Sequence, residues 1–286
     1  MALRQVFQGA GREAGRRLAT VIAGALVVAA LGQSAPAGAR VVELELVLGV
    51  DTSMSVGADE FALQMAGYAA AFRHPEVLQA IRGSNGGIAV TLVQWADSYQ
   101  QAVSIDWTWV GDQASAAVLA DRIARVGRRF VGPGTALAAA LAYCLDRFEG
   151  NGFEGVRRTV DISGDGRDNR GPRVTLVRAL AMTSGITVNG LAILNDEPFL
   201  DRYYERQVIA GPDAFVVAAA DYQDFAAAIV KKLVREIAGP QIARAPPAAP
   251  RGYWARAVVP EMRRSSTSST IRRNSMSIPV SVSTRS

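Results

Sequence analysis

Between residues 41 and 238 the chain alternates short runs of β-branched and aromatic residues with longer segments of helical period, and this alternation constrains the fold most. The strand-like runs fall at 41–50, 87–96, 101–110, 156–164, 186–194 and, shorter, 214–220. The helix-like segments fall at 58–73, 113–126, 135–148, 174–183, 198–206 and 222–238. A strand, a helix and a second strand require a crossover, which makes the strands parallel and places helices over the sheet. Only the second and third strands lack a helix between them; residues 96–100 suffice for an antiparallel hairpin. The expected fold is α/β: a doubly wound, mostly parallel six-stranded sheet with one antiparallel edge strand and helices on both faces. In such sheets ligands sit beyond the carboxyl ends of the strands, where strand order reverses. The loops at those ends are where chemistry is to be sought.

The flanks read differently. Residues 1–39 carry Arg4, Arg12, Arg16 and Arg17, then an apolar stretch at 18–31, then Ala37-Gly38-Ala39. This is the pattern of an export signal with a small-residue cleavage site, and the apolar stretch is short for a membrane span. The expectation is an exported protein, periplasmic or secreted, with no membrane span once the signal is removed. The alternative is an uncleaved N-terminal anchor. Residues 240–286 are rich in Pro, Ser and Arg and read as a disordered tail. The globular unit is then 40–239. The net charge of +5 belongs to the flanks, since residues 40–243 hold 19 basic and 24 acidic side chains. A nucleic-acid binder would carry its basic patch on the fold itself, so nucleic acid is not the expected partner. The lone Cys144, in an apolar helical segment, reads as a small buried apolar residue.

Three loops carry the chemistry. The first strand runs into Asp51-Thr52-Ser53-Met54-Ser55, "VGPGT" ends on Thr135 at the start of a helix, and the fourth strand ends in "DISGDGRDN" with Asp165-Gly166 in the turn. If the first and fourth strands are neighbours, these loops meet. Asp51, Ser53, Ser55, Thr135 and Asp165 then offer oxygen alone, which suits a hard divalent cation, whereas zinc would favour His and Cys. The hydroxyls are neutral, so two carboxylates balance a bound Mg²⁺ without excess negative charge. Such a centre can accept a further carboxylate from a partner. Each piece alone has an ordinary explanation: a helix cap, an N-cap at Thr135, a turn.

In this order and spacing, these residues resemble the von Willebrand factor type A (vWA) domain with its metal-ion-dependent adhesion site. That family's motif is Asp-x-Ser-x-Ser, then a Thr, then an Asp usually followed by Gly. More narrowly, "DTSMSVGADEFALQMAGYAAAFRHPEV" and "DISGDGRDN" resemble a group of uncharacterised exported bacterial vWA-like proteins. The resemblance covers residues 41–238. It implies the fold argued above and protein binding mediated by Mg²⁺ or Mn²⁺, with the Asp and the two Ser near the metal and Thr135 and Asp165 direct or through water. Asp161 departs from the usual apolar run; it is a candidate outer acceptor, but the favoured reading pairs it with a nearby Arg or a backbone donor. Asp168 and Asn169 are candidates for the rim.

Enzyme readings find less support. Serine hydrolysis needs a base beside the nucleophile, and the sole histidine, His74, precedes Pro75 in a helix–helix turn. No Gly-x-Ser-x-Gly or Walker segment occurs. The expectation is a binding module with no catalytic residue. A metal-dependent hydrolase on the same scaffold, or a structural domain whose metal recruits no partner, are the alternatives.

Overall fold

A computed structural model describes residues 38–239. The expected signal, apart from its last two residues, and the expected tail lie outside the described residues. The elements, in order, are β1 (Arg40–Asp51), α1 (Ala58–Ala71), α2 (Pro75–Gly83), β2 (Ile88–Trp95), β3 (Gln101–Val110), α3 (Gln113–Ile123), α4 (Leu137–Asp146), β4 (Phe153–Gly164), α5 (Val174–Thr183), β5 (Thr187–Ile193), α6 (Leu200–Tyr203), β6 (Val216–Ala219) and α7 (Phe225–Ala238). A π-helical turn, Tyr204–Val208, continues α6. The sheet order is β3-β2-β1-β4-β5-β6. Every pairing is parallel except β2 with β3, which is antiparallel. The expected architecture holds, with the antiparallel strand at the edge.

β1 lies at the centre, paired with β2 on one side and β4 on the other. A parallel strand covered on both faces must be apolar on both, and every residue from Leu46 to Asp51 is buried. Leu44, Leu46, Leu48 and Val50 face a core shared with α1, α2, α3 and α7. Val47, Val160 and Ile162 face the opposite core with α4, α5 and α6. Each large aliphatic side chain so buried contributes about 1.5–3 kcal/mol relative to exposure. Gly49 lets this second layer close: a Cβ there would lie 2.7 Å from Ile162 Cδ1 and 3.5 Å from Cys144 Sγ. Cys144 is fully buried, and burial pushes its thiol up to about 12.

Two local features differ from the sequence reading. His74-Pro75 does join two helices, but the second, α2, is absent from the expected segments: Pro75 occupies its first turn and His74 Nδ1 accepts from the Glu76 N–H at 3.4 Å. Proline at that position costs nothing, because its missing N–H would have had no helical partner. Thr135 does not cap α4. The N-cap position is Ala136, with no side-chain cap, because both backbone groups of Thr135 are tied to Asn169 instead.

Candidate functional site

β1 and β4 run side by side to the same end of the sheet, with Val50 opposite Ser163. The loops that follow them therefore emerge together. The turn after β1 is fixed by its own short side chains. Asp51 Oδ1 accepts from the Ser53 N–H at 2.7 Å, and the Thr52 N–H and hydroxyl both donate to the Trp95 carbonyl, at 2.8 and 3.0 Å. The Met54 N–H donates to the Gly132 carbonyl at 2.8 Å, which draws in the loop that carries Thr135. Arg128 Nη2 donates to the carbonyls of Thr52 and Ser53, at 3.0 and 2.8 Å.

The expected five residues come together. Ser53 Oγ and Ser55 Oγ are 3.1 Å apart, and Ser55 Oγ donates to Asp165 Oδ1 at 2.8 Å. Asp165 Oδ2 accepts from the Tyr222 hydroxyl at 3.0 Å. Thr135 Oγ1 lies against the turn after Asp165: a Cβ on Gly166 would meet it at 3.5 Å. Asp51, Ser53, Thr135 and Asp165 are buried, while Ser55 is exposed. The cluster therefore opens to solvent on the Ser55 side.

The electrostatics of the cluster are unfavourable as it stands. Asp51 Oδ2 is buried and has no hydrogen-bond partner. Gly164 packs closely against it: a Cβ there would lie 2.9 Å from Asp51 Oδ2 and 2.9 Å from the Tyr204 hydroxyl, itself buried and unpartnered. Burial first, and the neighbouring charge of Asp165 second, push the Asp51 carboxyl up to about 8. Burial also raises Asp165, against the hydrogen bonds from Ser55 and Tyr222. A carboxylate that is buried, unpaired and beside a second carboxylate loses several kinds of stabilisation at once. A hard divalent cation supplies what is missing, and the donor set of two carboxylates and three hydroxyls fits one. Among the described residues no three His, Cys, Asp or Glu side chains gather at one point, so the hydroxyls are essential to any such site.

The outer candidates separate. Asn169 Oδ1 accepts from the Thr135 N–H at 2.9 Å and so holds Thr135 in place. Asp168 Oδ1 faces the Ala138 N–H at 3.5 Å, at the start of α4. Asp161 turns to the opposite layer. Its expected partner was an Arg or a backbone donor; it is Lys232 of α7, with Nζ 2.6 Å from Asp161 Oδ1. Asp161 faces α7 because its neighbours Val160 and Ile162 fill the other core, and side chains alternate along a strand. The sequence reading missed Arg128, Tyr222 and Tyr204. None has a motif spacing, and each reaches the cluster only through the folding of a distant segment.

The comparisons with known proteins agree with the fold. Proximal thread matrix protein 1 from the mussel byssus aligns with a TM-score of 0.54 at 15% identity, over 70% of this chain and 49% of that one. The pilus adhesin SpaC from Lactobacillus rhamnosus GG aligns with a TM-score of 0.51 at 14% identity, over 70% of this chain and 31% of that one. A von Willebrand factor type A protein from Catenulispora acidiphila aligns with a TM-score of 0.48 at 18% identity, over 68% and 43%. The chain thus spans less than half the length of each of these proteins. No curated protein matches it. The fold is that of a vWA domain, and the chain belongs to the family described as "Protein of unknown function (DUF1194)", which matches residues 41–241.

Proposed function

We propose that this domain binds a divalent cation, Mg²⁺ or Mn²⁺, and captures a protein partner through it. Asp51, Ser53, Ser55, Thr135 and Asp165 would hold the ion. The observation that carries the reading is Asp51 Oδ2: buried, without a partner, and beside the second carboxylate of the cluster, Asp165. When bound, the cation supplies a positive centre able to take an acidic oxygen from another molecule. The chain's own residues do the rest. Arg128 fixes the loop after β1, Asn169 fixes Thr135, and Tyr222 orients Asp165 by donating to Oδ2. The exposed side at Ser55 is where a partner's carboxylate would enter. The likeness to a pilus adhesin supports a binding role outside the cytoplasm. It also fits the export signal read at residues 1–39. We propose no catalytic residue: His74, the sole histidine, serves as the half-buried N-cap of α2, at the far end of α1 from the cluster.

The test is thermal melting of the full-length protein with Mg²⁺, Mn²⁺ or EDTA. A ligand that binds only the native state adds about 1.4 kcal/mol at about ten times its Kd. That increment should appear in the wild type and vanish in Asp51→Ala. Melting indifferent to all three additions would overturn the metal reading. Metal-dependent melting, with EDTA-insensitive capture of proteins from cell-envelope extract, would overturn the partner reading alone.

A further inference from the structure

On the segment that also carries Arg128, a cleft of about 520 Å³ opens between the edge strand β3 and the residues that follow α3. It is lined by Arg122, Arg125 and Arg129 together with Val103, Ile105 and Val126. No acidic residue lines it. Among the described residues none of the three arginines forms an ion pair with a carboxylate. This is unusual for a unit whose acidic side chains outnumber its basic ones by 24 to 19. Three unopposed guanidiniums concentrate positive charge on a negative domain.

The cleft has a fixed wall. Gln94 of β2 is buried and spends its whole amide there. Its Nε2 donates to Ser104 Oγ and to the Gly127 carbonyl, both at 2.9 Å, and its Oε1 accepts from the Arg129 N–H at 2.8 Å. Arg122 Nη1 donates to Thr108 Oγ1 at 2.7 Å, and Arg129 Nη1 to the Val103 carbonyl at 3.1 Å. Each of these two guanidiniums is anchored by one nitrogen and retains further donors. That is the arrangement of a pre-positioned fork rather than of a free surface arginine.

The edge strand itself does not suit a further β-strand. Val90 pairs with Thr108, Leu92 with Ile105 and Val93 with Val103, so β3 carries two more residues than β2 across this stretch. Such bulges break the flat ladder that strand addition needs. Recognition there falls to side chains. The cleft volume lies within the range of small-molecule sites, about 300–1,000 Å³.

We infer that this cleft is a binding site, independent of the metal, for a small multivalent oxyanion, a polyphosphate or polycarboxylate, held by Arg122, Arg125 and Arg129. Isothermal titration of the full-length protein, in buffer stripped of divalent cations by a chelating resin and free of any soluble chelator, tests it, with pyrophosphate and citrate as the two probes. One probe at least should bind with one-to-one stoichiometry, and the preferred probe identifies the source of the oxyanion. Arg125→Gln and Arg129→Gln should each weaken it about tenfold or more, with melting unchanged. Arg82→Gln, an equal loss of charge on α2, should leave it unaltered, and Asp51→Ala should retain it. Binding of neither probe overturns the site, as does equal weakening by Arg82→Gln. Because divalent cations are absent and Asp51→Ala is tested in parallel, failure here leaves the metal reading standing, and the reverse also holds.

Discussion

Asp51 concentrates the logic of the molecule in one side chain. It ends the central strand, so it is buried; it begins a turn, so one oxygen is taken by the Ser53 N–H; the other oxygen has no partner. That second oxygen is approached closely by the backbone at residue 164, a glycine. Gly164→Ala would place a methyl group 2.9 Å from that oxygen and from the Tyr204 hydroxyl. We expect a cost of about 1–3 kcal/mol from overpacking, read as a lower urea midpoint, together with a smaller shift of melting by Mg²⁺. An alanine variant with wild-type stability and wild-type Mg²⁺ response would remove Gly164 from the site. At this scale the motif residues were legible in the sequence, since Asp-x-Ser-x-Ser and Asp-Gly are local patterns. Tyr222, 57 residues beyond Asp165, was not, because nothing local links the two.

Among the elements, α7 carries the least expected feature. Lys232 is fully buried, 2.6 Å from Asp161 Oδ1 and 2.5 Å from Glu236 Oε1. Asn189 Nδ2 donates to Glu236 Oε1 at 2.9 Å, and Arg157 caps the end of the helix through the carbonyls of Glu236 and Ile237. One lysine thus serves two carboxylates inside the core, between the helix and strands β4 and β5. Removing one partner of a buried ion pair costs about 3–5 kcal/mol, mostly through the charges left behind. Lys232→Met should lose that much stability near pH 8. The loss should shrink near pH 5, where Asp161, its carboxyl raised by burial to about 7, takes up a proton. Urea titrations at the two pH values measure it; an equal loss at both would show that packing, not charge, is what Lys232 supplies. The amphipathic period of α7 was readable in advance. A lysine on its buried face was not, because only the packed sheet shows that Asp161 stands opposite.

For the whole molecule, Asp51 and Asp161 point the same way. Their carboxyls are raised from an ordinary 3.8 to about 8 and about 7. The folded protein therefore holds these two protons to higher pH than the unfolded chain does. Across that interval the native state binds more protons, so metal-free stability falls as pH rises from about 4 to about 8. Denaturation in EDTA at several pH values checks this, and Asp161→Asn should flatten part of the slope. A midpoint that climbs steadily over the same interval would refute it. Mg²⁺ should suppress the share that comes from Asp51, because a bound cation favours the ionised carboxylate.

The sequence by itself determined the order of strands and helices, the antiparallel edge and the oxygen-only character of three loops. These follow from period, from turn chemistry and from the length of each connection, all of which act over a few residues. It left α2 unread, since a proline ends one reading of a helix and begins another with equal ease. Only the tertiary structure decided that β1 lies between β2 and β4, which is what brings Asp51 and Asp165 to one end of the sheet. Only it set Arg128, Tyr222 and Gly164 around Asp51, paired Asp161 with Lys232, and left three arginines facing one cleft without an acid. These are contacts between segments tens of residues apart, and their physical cause is the closing of two cores around a shared sheet, which no local pattern encodes.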